Sequence, residues 1–160
     1  MHAPVNHELP RCLTIGPAPY SRAYMNRPRY TILVIDDDPL ILEMVTELLE
    51  VGGHRVLSAS SGEDGLTRAR ADHPDLVLLD YHMPGMDGLA VVLRLRADAA
   101  TKRIPVVSLT SGTAHDANAL SRAGCIGFIP KPFEPAGFLR LVTEFLNETV
   151  GRTRRAPPTG

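Results

Sequence analysis

Carboxylates cluster where apolar runs stop. Asp36 and Asp37 follow Thr31-Ile32-Leu33-Val34-Ile35, and Asp80 follows Leu76-Val77-Leu78-Leu79. Adjacent acids at the mouth of an apolar strand repel one another and raise each other's pKa, so something must offset that cost. A cation is the simplest candidate. Taken alone, Asp80 also reads as an ordinary strand-ending or helix-capping acid. Asp38 fits that ordinary reading, because Pro39 after it is a helix-start signal; Asp36 and Asp37 are left unexplained by it. Thr110 and Lys131 also follow apolar runs, Val106-Val107-Ser108-Leu109 and Gly127-Phe128-Ile129-Pro130.

The elements that must position these groups alternate. Runs of four or five apolar residues without alternation suit strands covered on both faces of a parallel sheet. Strands are expected at 31–35, 54–59, 75–80, 104–109 and 127–129. The first helix follows Pro39, with Leu40/Ile41, Met44/Val45 and Leu48/Leu49 on its apolar face, and Gly52-Gly53 ends it. A second, weaker helix opens at Ser61-Gly62-Glu63 and reaches about Asp72. Turn chemistry in Met83-Pro84-Gly85 and Asp87-Gly88 leads to a third helix, Gly88 to about Ala97, burying Leu89, Val92, Leu93 and Leu95. A fourth, Ala114 to Ala123, offers the core only Ala114, Ala117 and Leu120. The last opens at Glu134-Pro135 and presents Phe138, Leu141/Val142 and Phe145/Leu146. Five strands alternating with five helices require a parallel sheet with helices on both faces. Asp36, Asp37, Asp80, Thr110 and Lys131 then share the carboxyl-end rim, the ligand-binding side of such sheets.

At 160 residues, 44% hydrophobic and 22% charged, the chain suits one globular domain with a real core. A net charge of −1 gives no general reason to expect nucleic acid or an acidic membrane as partner. Cys12 and Cys125 have no metal-ligand spacing, and a reducing cytoplasm fits them. No apolar run approaches the roughly 20 residues of a membrane span. Residues 1–29 read as a flexible leader, with Met25 as an alternative translation start, and 151–160 as a disordered tail whose arginines are solvated.

Four motifs, in order and spacing, resemble the receiver domain of two-component response regulators: Val-Ile-Asp-Asp-Asp-Pro, Leu-Leu-Asp-Tyr-His-Met-Pro-Gly-Met-Asp-Gly, Leu-Thr-Ser-Gly and Pro-Lys-Pro-Phe. The resemblance covers residues 30–150. It implies a flavodoxin-like (βα)5 doubly wound fold with strand order 2-1-3-4-5, the order for which a chemotaxis receiver is a standard example. By resemblance Asp80 is the phosphoacceptor, served by a histidine kinase or histidine phosphotransfer protein. Mg²⁺, for which Mn²⁺ can substitute, would be held by Asp37 and Asp80 directly, by Asp36 largely through water, and by the backbone carbonyl of His82. Thr110 and Lys131 would contact the phosphoryl oxygens, Lys131 pairing with the Asp80 carboxylate when the phosphate is absent, and Phe128 would be the aromatic switch. A cis Lys131-Pro132 bond is also implied. The downstream target would bind the surface of the fourth helix, fifth strand and fifth helix.

The function expected is that of a cytoplasmic single-domain response regulator, not an enzyme beyond its own phosphorylation and dephosphorylation, since nothing after residue 150 could fold as an output domain. One alternative is a degenerate, phosphorylation-independent interaction module. Another is a haloacid-dehalogenase-type phosphatase, whose Asp-x-Asp-x-Thr/Val pattern fails at Leu40.

Overall fold

A parallel strand covered on both faces must send alternate apolar side chains each way. The chain does this five times, in a computed structural model that describes residues 29–155, with side chains described through Val150. The strands are β1 (Thr31–Ile35), β2 (Arg55–Ala59), β3 (Leu76–Asp80), β4 (Val106–Thr110) and β5 (Gly127–Pro130). All are parallel, in the order β2-β1-β3-β4-β5. Ile32, Val34, Leu76, Leu78, Val107 and Leu109 point to one face, where α1 (Pro39–Val51) and α5 (Pro135–Arg155) cover them. Leu33, Ile35, Val77, Leu79 and Val106 point to the other, under α2 (Gly62–Asp72), α3 (Gly88–Ala97) and α4 (Ala114–Ala123). The sheet is therefore the middle of a three-layer core. Its strand order is the one the resemblance implied, and helices cover both faces as expected.

The helices start where the chemistry dictates. Asp38, Ser61 and Asp87 accept hydrogen bonds from the backbone N–H groups of Leu40, Asp64 and Ala90 at 2.9, 3.2 and 2.8 Å. Each cap lies on the rim that carries the acids, because each helix here returns from a strand's carboxyl end.

The expected faces need correction. In α1, Leu40 is 73% exposed and Met44 is exposed, while Val45 and Leu49 are buried and Leu42 packs inward instead. Ile41 and Leu48 pack against the core as expected. In α3, Leu93 is exposed and Val91 is buried beside Val92 and Leu95. In α4, Ala114 is exposed and Leu120 is the buried residue. β4 begins at Val106, two residues later than expected, because Ile104 closes a turn onto Thr101 and Pro105 enters the strand through its carbonyl. The last helix continues to Arg155, five residues into the stretch read as a disordered tail. Residues 1–28 of the expected leader and 156–160 of the tail lie outside the described residues. Among the described residues no helix is long and apolar enough to cross a membrane.

Candidate functional site

β1 and β3 are neighbours, so their ends bring the acids together. Oxygens of Asp36, Asp37 and Asp80 lie within 4.8 Å of one another. Asp36 is fully buried and Asp80 is 7% exposed, while Asp37 faces solvent. Lys131, one residue past β5, reaches back over the rim to both buried acids. Its Nζ lies 2.7 Å from Asp36 Oδ2 and 3.3 Å from Asp80 Oδ1. The resemblance led us to expect the Asp80 contact; the shorter one, to Asp36, is new. Asp36 Oδ1 also accepts the backbone N–H of Asp38 at 2.9 Å, which fixes the β1–α1 turn.

The loop before α5 aims the lysine. The Lys131-Pro132 peptide bond is cis, as the resemblance implied, and the Lys131 N–H donates to the Thr110 carbonyl at 2.8 Å. A buried cation that reaches two carboxylates loses hydration but recovers it in charge-assisted contacts. Burial pushes the Lys131 ammonium pKa down, but the hydrogen bond and charge of Asp36, with those of Asp80, outweigh it and leave the value raised. Asp80 is pushed above its ordinary value, first by burial and then by the charge of Asp36; Lys131 opposes the rise and Asp37 adds to it. An acid crowded in this way is short of positive charge. Three carboxylates form an all-oxygen donor set that suits a hard divalent cation.

The other expected groups have neighbours of their own. Thr110 ends β4, half-buried, and its Oγ1 accepts the Gly112 N–H at 2.8 Å. His82 is exposed, with its ring packed edge-on against Tyr81 at 4.8 Å. Phe128 pairs in register with Ser108 and packs, partly buried, on the α2–α4 side of the core. Sequence reasoning missed Asp116 in the first turn of α4. Its Oδ2 accepts the Thr113 N–H at 3.0 Å and the Thr113 hydroxyl at 3.1 Å. Its carboxyl is held low first by that backbone bond. The Thr113-x-x-Asp116 spacing ahead of a helix resembles a capping box and was the available signal.

Comparison with known proteins gives one answer. The model of the response regulator receiver domain matches residues 32–143. The Pseudomonas aeruginosa protein PilH is 35% identical over 116 residues, covering 72% of this chain and 96% of PilH. The Brucella ovis polar-differentiation response regulator DivK is 29% identical over 119 residues, covering 74% of this chain and 97% of DivK. The Vibrio cholerae chemotaxis protein CheY4 superposes with a TM-score of 0.70 at 28% identity, over 73% of this chain and 98% of that one. The receiver domain of a Pseudomonas aeruginosa sensor histidine kinase, solved with a magnesium ion coordinated in its active-site cleft, superposes with a TM-score of 0.68 at 25% identity, over 78% of this chain and 99% of its own. Neither alternative reading, the phosphatase or the degenerate module, is favoured beside these matches. The chain belongs to the response regulator receiver domain family, the phosphoacceptor signalling proteins of two-component systems.

Proposed function

We propose that Asp80 accepts a phosphoryl group from a histidine kinase or histidine phosphotransfer protein, and that the resulting aspartyl phosphate switches the binding of a protein target. The observation that carries this is the placement of three carboxylate groups within 4.8 Å of one another, with the Lys131 ammonium on two of them. One Asp80 oxygen attacks phosphorus, the donor's P–N bond breaks, and the leaving imidazole takes a proton. Such a transfer needs mainly positioning and neutralisation of charge on the phosphoryl oxygens.

The residues divide that work. Asp80, ionised, is the nucleophile. Lys131 moves its ammonium from the carboxylate to a phosphoryl oxygen, and Asp36 anchors it from the buried side. Asp37, Asp80 and the carbonyl of His82 would hold Mg²⁺, or Mn²⁺ in its place, with Asp36 contributing through water. When bound, that ion supplies positive charge to the phosphoryl oxygens. Thr110 gives its hydroxyl to a phosphoryl oxygen, and Phe128 turns toward the space Thr110 leaves. The acyl phosphate carries a charge of about −2 where the carboxylate carried −1, and it projects that charge outward from the strand end, which biases a two-state loop. The α4–β5–α5 face is then the target surface, and the protein works in the cytoplasm as a single receiver of residues 30–150.

The test is intact-protein mass after incubation with acetyl phosphate and Mg²⁺. We expect one added phosphoryl group in the wild type, lost in Asp80→Asn and in a metal-free control, and kept with Mn²⁺. An unlabelled wild type refutes the assignment, and labelling retained in Asp80→Asn shows that another residue is the acceptor.

A further inference from the structure

Arg96 is a half-buried guanidinium in the last turn of α3, near the entry of β4 and remote in the fold from the acid rim. Its Nη1 donates to the carbonyls of Lys102 and Ile104 at 3.1 and 2.8 Å, and its Nη2 donates to the carbonyl of Gly124 at 3.0 Å. One side chain thus joins α3, the loop into β4 and the corner between α4 and β5. Burial pushes its pKa below the ordinary value. The hydration it gives up is recovered in those three carbonyls.

The corner is built around this side chain. Gly124 ends α4 with a φ of 110°, a conformation that favours glycine, and a Cβ there would lie 2.8 Å from Arg96 Nε. The next two N–H groups are also committed, Cys125 to the Leu120 carbonyl at 3.0 Å and Ile126 to the Val106 carbonyl at 2.9 Å. The α4 side chains that pack on the core, Leu120 and Ala123, lie in its second half. At its other end Ala114 and His115 are exposed, and the cap is closed by Thr113 and Asp116 of the same segment.

We propose that Arg96 is a positioning residue: it pins the Gly124 corner, which is the fixed end about which α4 answers a change at Thr110. This rests on the phosphoacceptor reading above, because that reading supplies the change at Thr110; the pin itself does not depend on it. A helix held at one end by packing and a charged fork, and at the other by its own cap, gives way first at the cap. The first turn of α4 therefore moves, while the entry to β5 keeps its place.

The test is amide exchange in wild type, Arg96→Met and Arg96→Lys, with and without Mg²⁺ and beryllofluoride, a mimic of the phosphoryl group. Without the mimic, Arg96→Met keeps the aliphatic stem but loses the three bonds. Exchange at residues 124–126 is expected to quicken about ten- to a hundredfold, the scale of hydrogen bonds to a charged group, with β1 and β3 unaffected. Arg96→Lys is expected to recover only part of that protection, because a compact ammonium lacks the fork that serves both loops. Unaltered exchange at the corner in Arg96→Met, or full recovery in Arg96→Lys, overturns the pin. With the mimic, wild type is expected to change exchange over residues 111–117 about fivefold more than over 120–126, and Arg96→Met is expected to spread the change into 120–126. An arginine that merely stabilised the fold would leave that ratio alone. Equal change at both ends of α4 in wild type, or the wild-type ratio in Arg96→Met, overturns the fixed end, and the wild-type measurement decides even where Arg96→Met fails to fold. A wild type that binds no beryllofluoride by fluorine NMR overturns the phosphoacceptor reading, while the corner protection lost in Arg96→Met leaves the pin standing.

Discussion

At the β1–β3 end of the rim the two buried acids are gripped by Lys131 as well as held by their own strands, whereas at the β4–α4 end the Thr110 side chain hangs on a single contact. Asp36 is gripped by Lys131 and by the Asp38 N–H, and Asp80 closes a strand whose residues are all buried. Thr110 has one bond to its own loop, and the helix that follows buries one side chain. The difference is physical. Acids that repel need a rigid frame to stay together, while a responsive segment needs few contacts to lose. Under the function proposed above, the two ends divide the labour of assembling charge and of reporting it.

Leu120→Ala strikes that contrast hardest. Deleting a buried leucine costs about 2–5 kcal/mol, and here the lost contacts are the main grip of α4. We expect α4 amides to lose exchange protection well before those of β1 and β3. If protection falls evenly across the sheet, α4 is as firmly held as the acid end and the contrast is wrong.

Lys131→Ala comes next, acting on the firm end. A hydrogen bond to a charged group is worth about 1.5–3 kcal/mol, so acetyl-phosphate labelling is expected to slow about ten- to a hundredfold with the fold retained by circular dichroism. Normal labelling would remove Lys131 from the chemistry.

How much of this was legible in the sequence follows the same divide. Strands buried on both faces announce themselves as apolar runs, so β1 and β3, and with them the acids, could be placed from residues alone. α3 was harder, because Leu89, Val91, Val92, Leu93 and Leu95 leave its apolar face nearly undefined and the sheet had to choose. α1 misled for another reason: Leu40 and Met44 keep the helical period, yet both are exposed and the inward face runs instead through Leu42, Val45 and Leu49. The Asp36–Lys131 contact joins residues 95 apart and exists only once β5 has docked. Nothing in the sequence ranked Asp36 above Asp80 as the lysine's nearer partner. Thr113 and Asp116 carried a local signal, the spacing of a helix cap.

Asp80→Asn sharpens the account of crowding at the acid end. Asp80 titrates above its ordinary value of 3.8 because burial and Asp36 disfavour its charge. Ionised Asp80 therefore weakens the fold above that raised pKa, and the penalty is relieved as pH falls through it. With metal removed by chelation, the variant is expected to melt about 2–4 °C higher at neutral pH, the gap closing as the pH enters the acid range. Lys131 does not confuse the comparison, since its pKa is raised from 10.5 and its contribution is lost only as pH rises past that higher value. A gap that persists in acid would place the strain elsewhere.

The smallest expected effect lies on the seam between the two ends. Ser108 sits in the middle of β4, fully buried, and its hydroxyl has no hydrogen-bond partner among the described residues. Its neighbours in the sheet are Leu79 and Phe128, which offer it apolar surface. An unpaired buried hydroxyl carries a desolvation cost of about 1–3 kcal/mol, partly offset by the dispersion contacts its oxygen makes. Ser108→Ala keeps the strand and removes the orphan, so denaturant unfolding should show a gain of about 1 kcal/mol or less. A clear loss would mean that the hydroxyl is satisfied in solution. It would then belong to the firm end of the sheet, and Phe128 would move over a fixed polar floor instead of an apolar one.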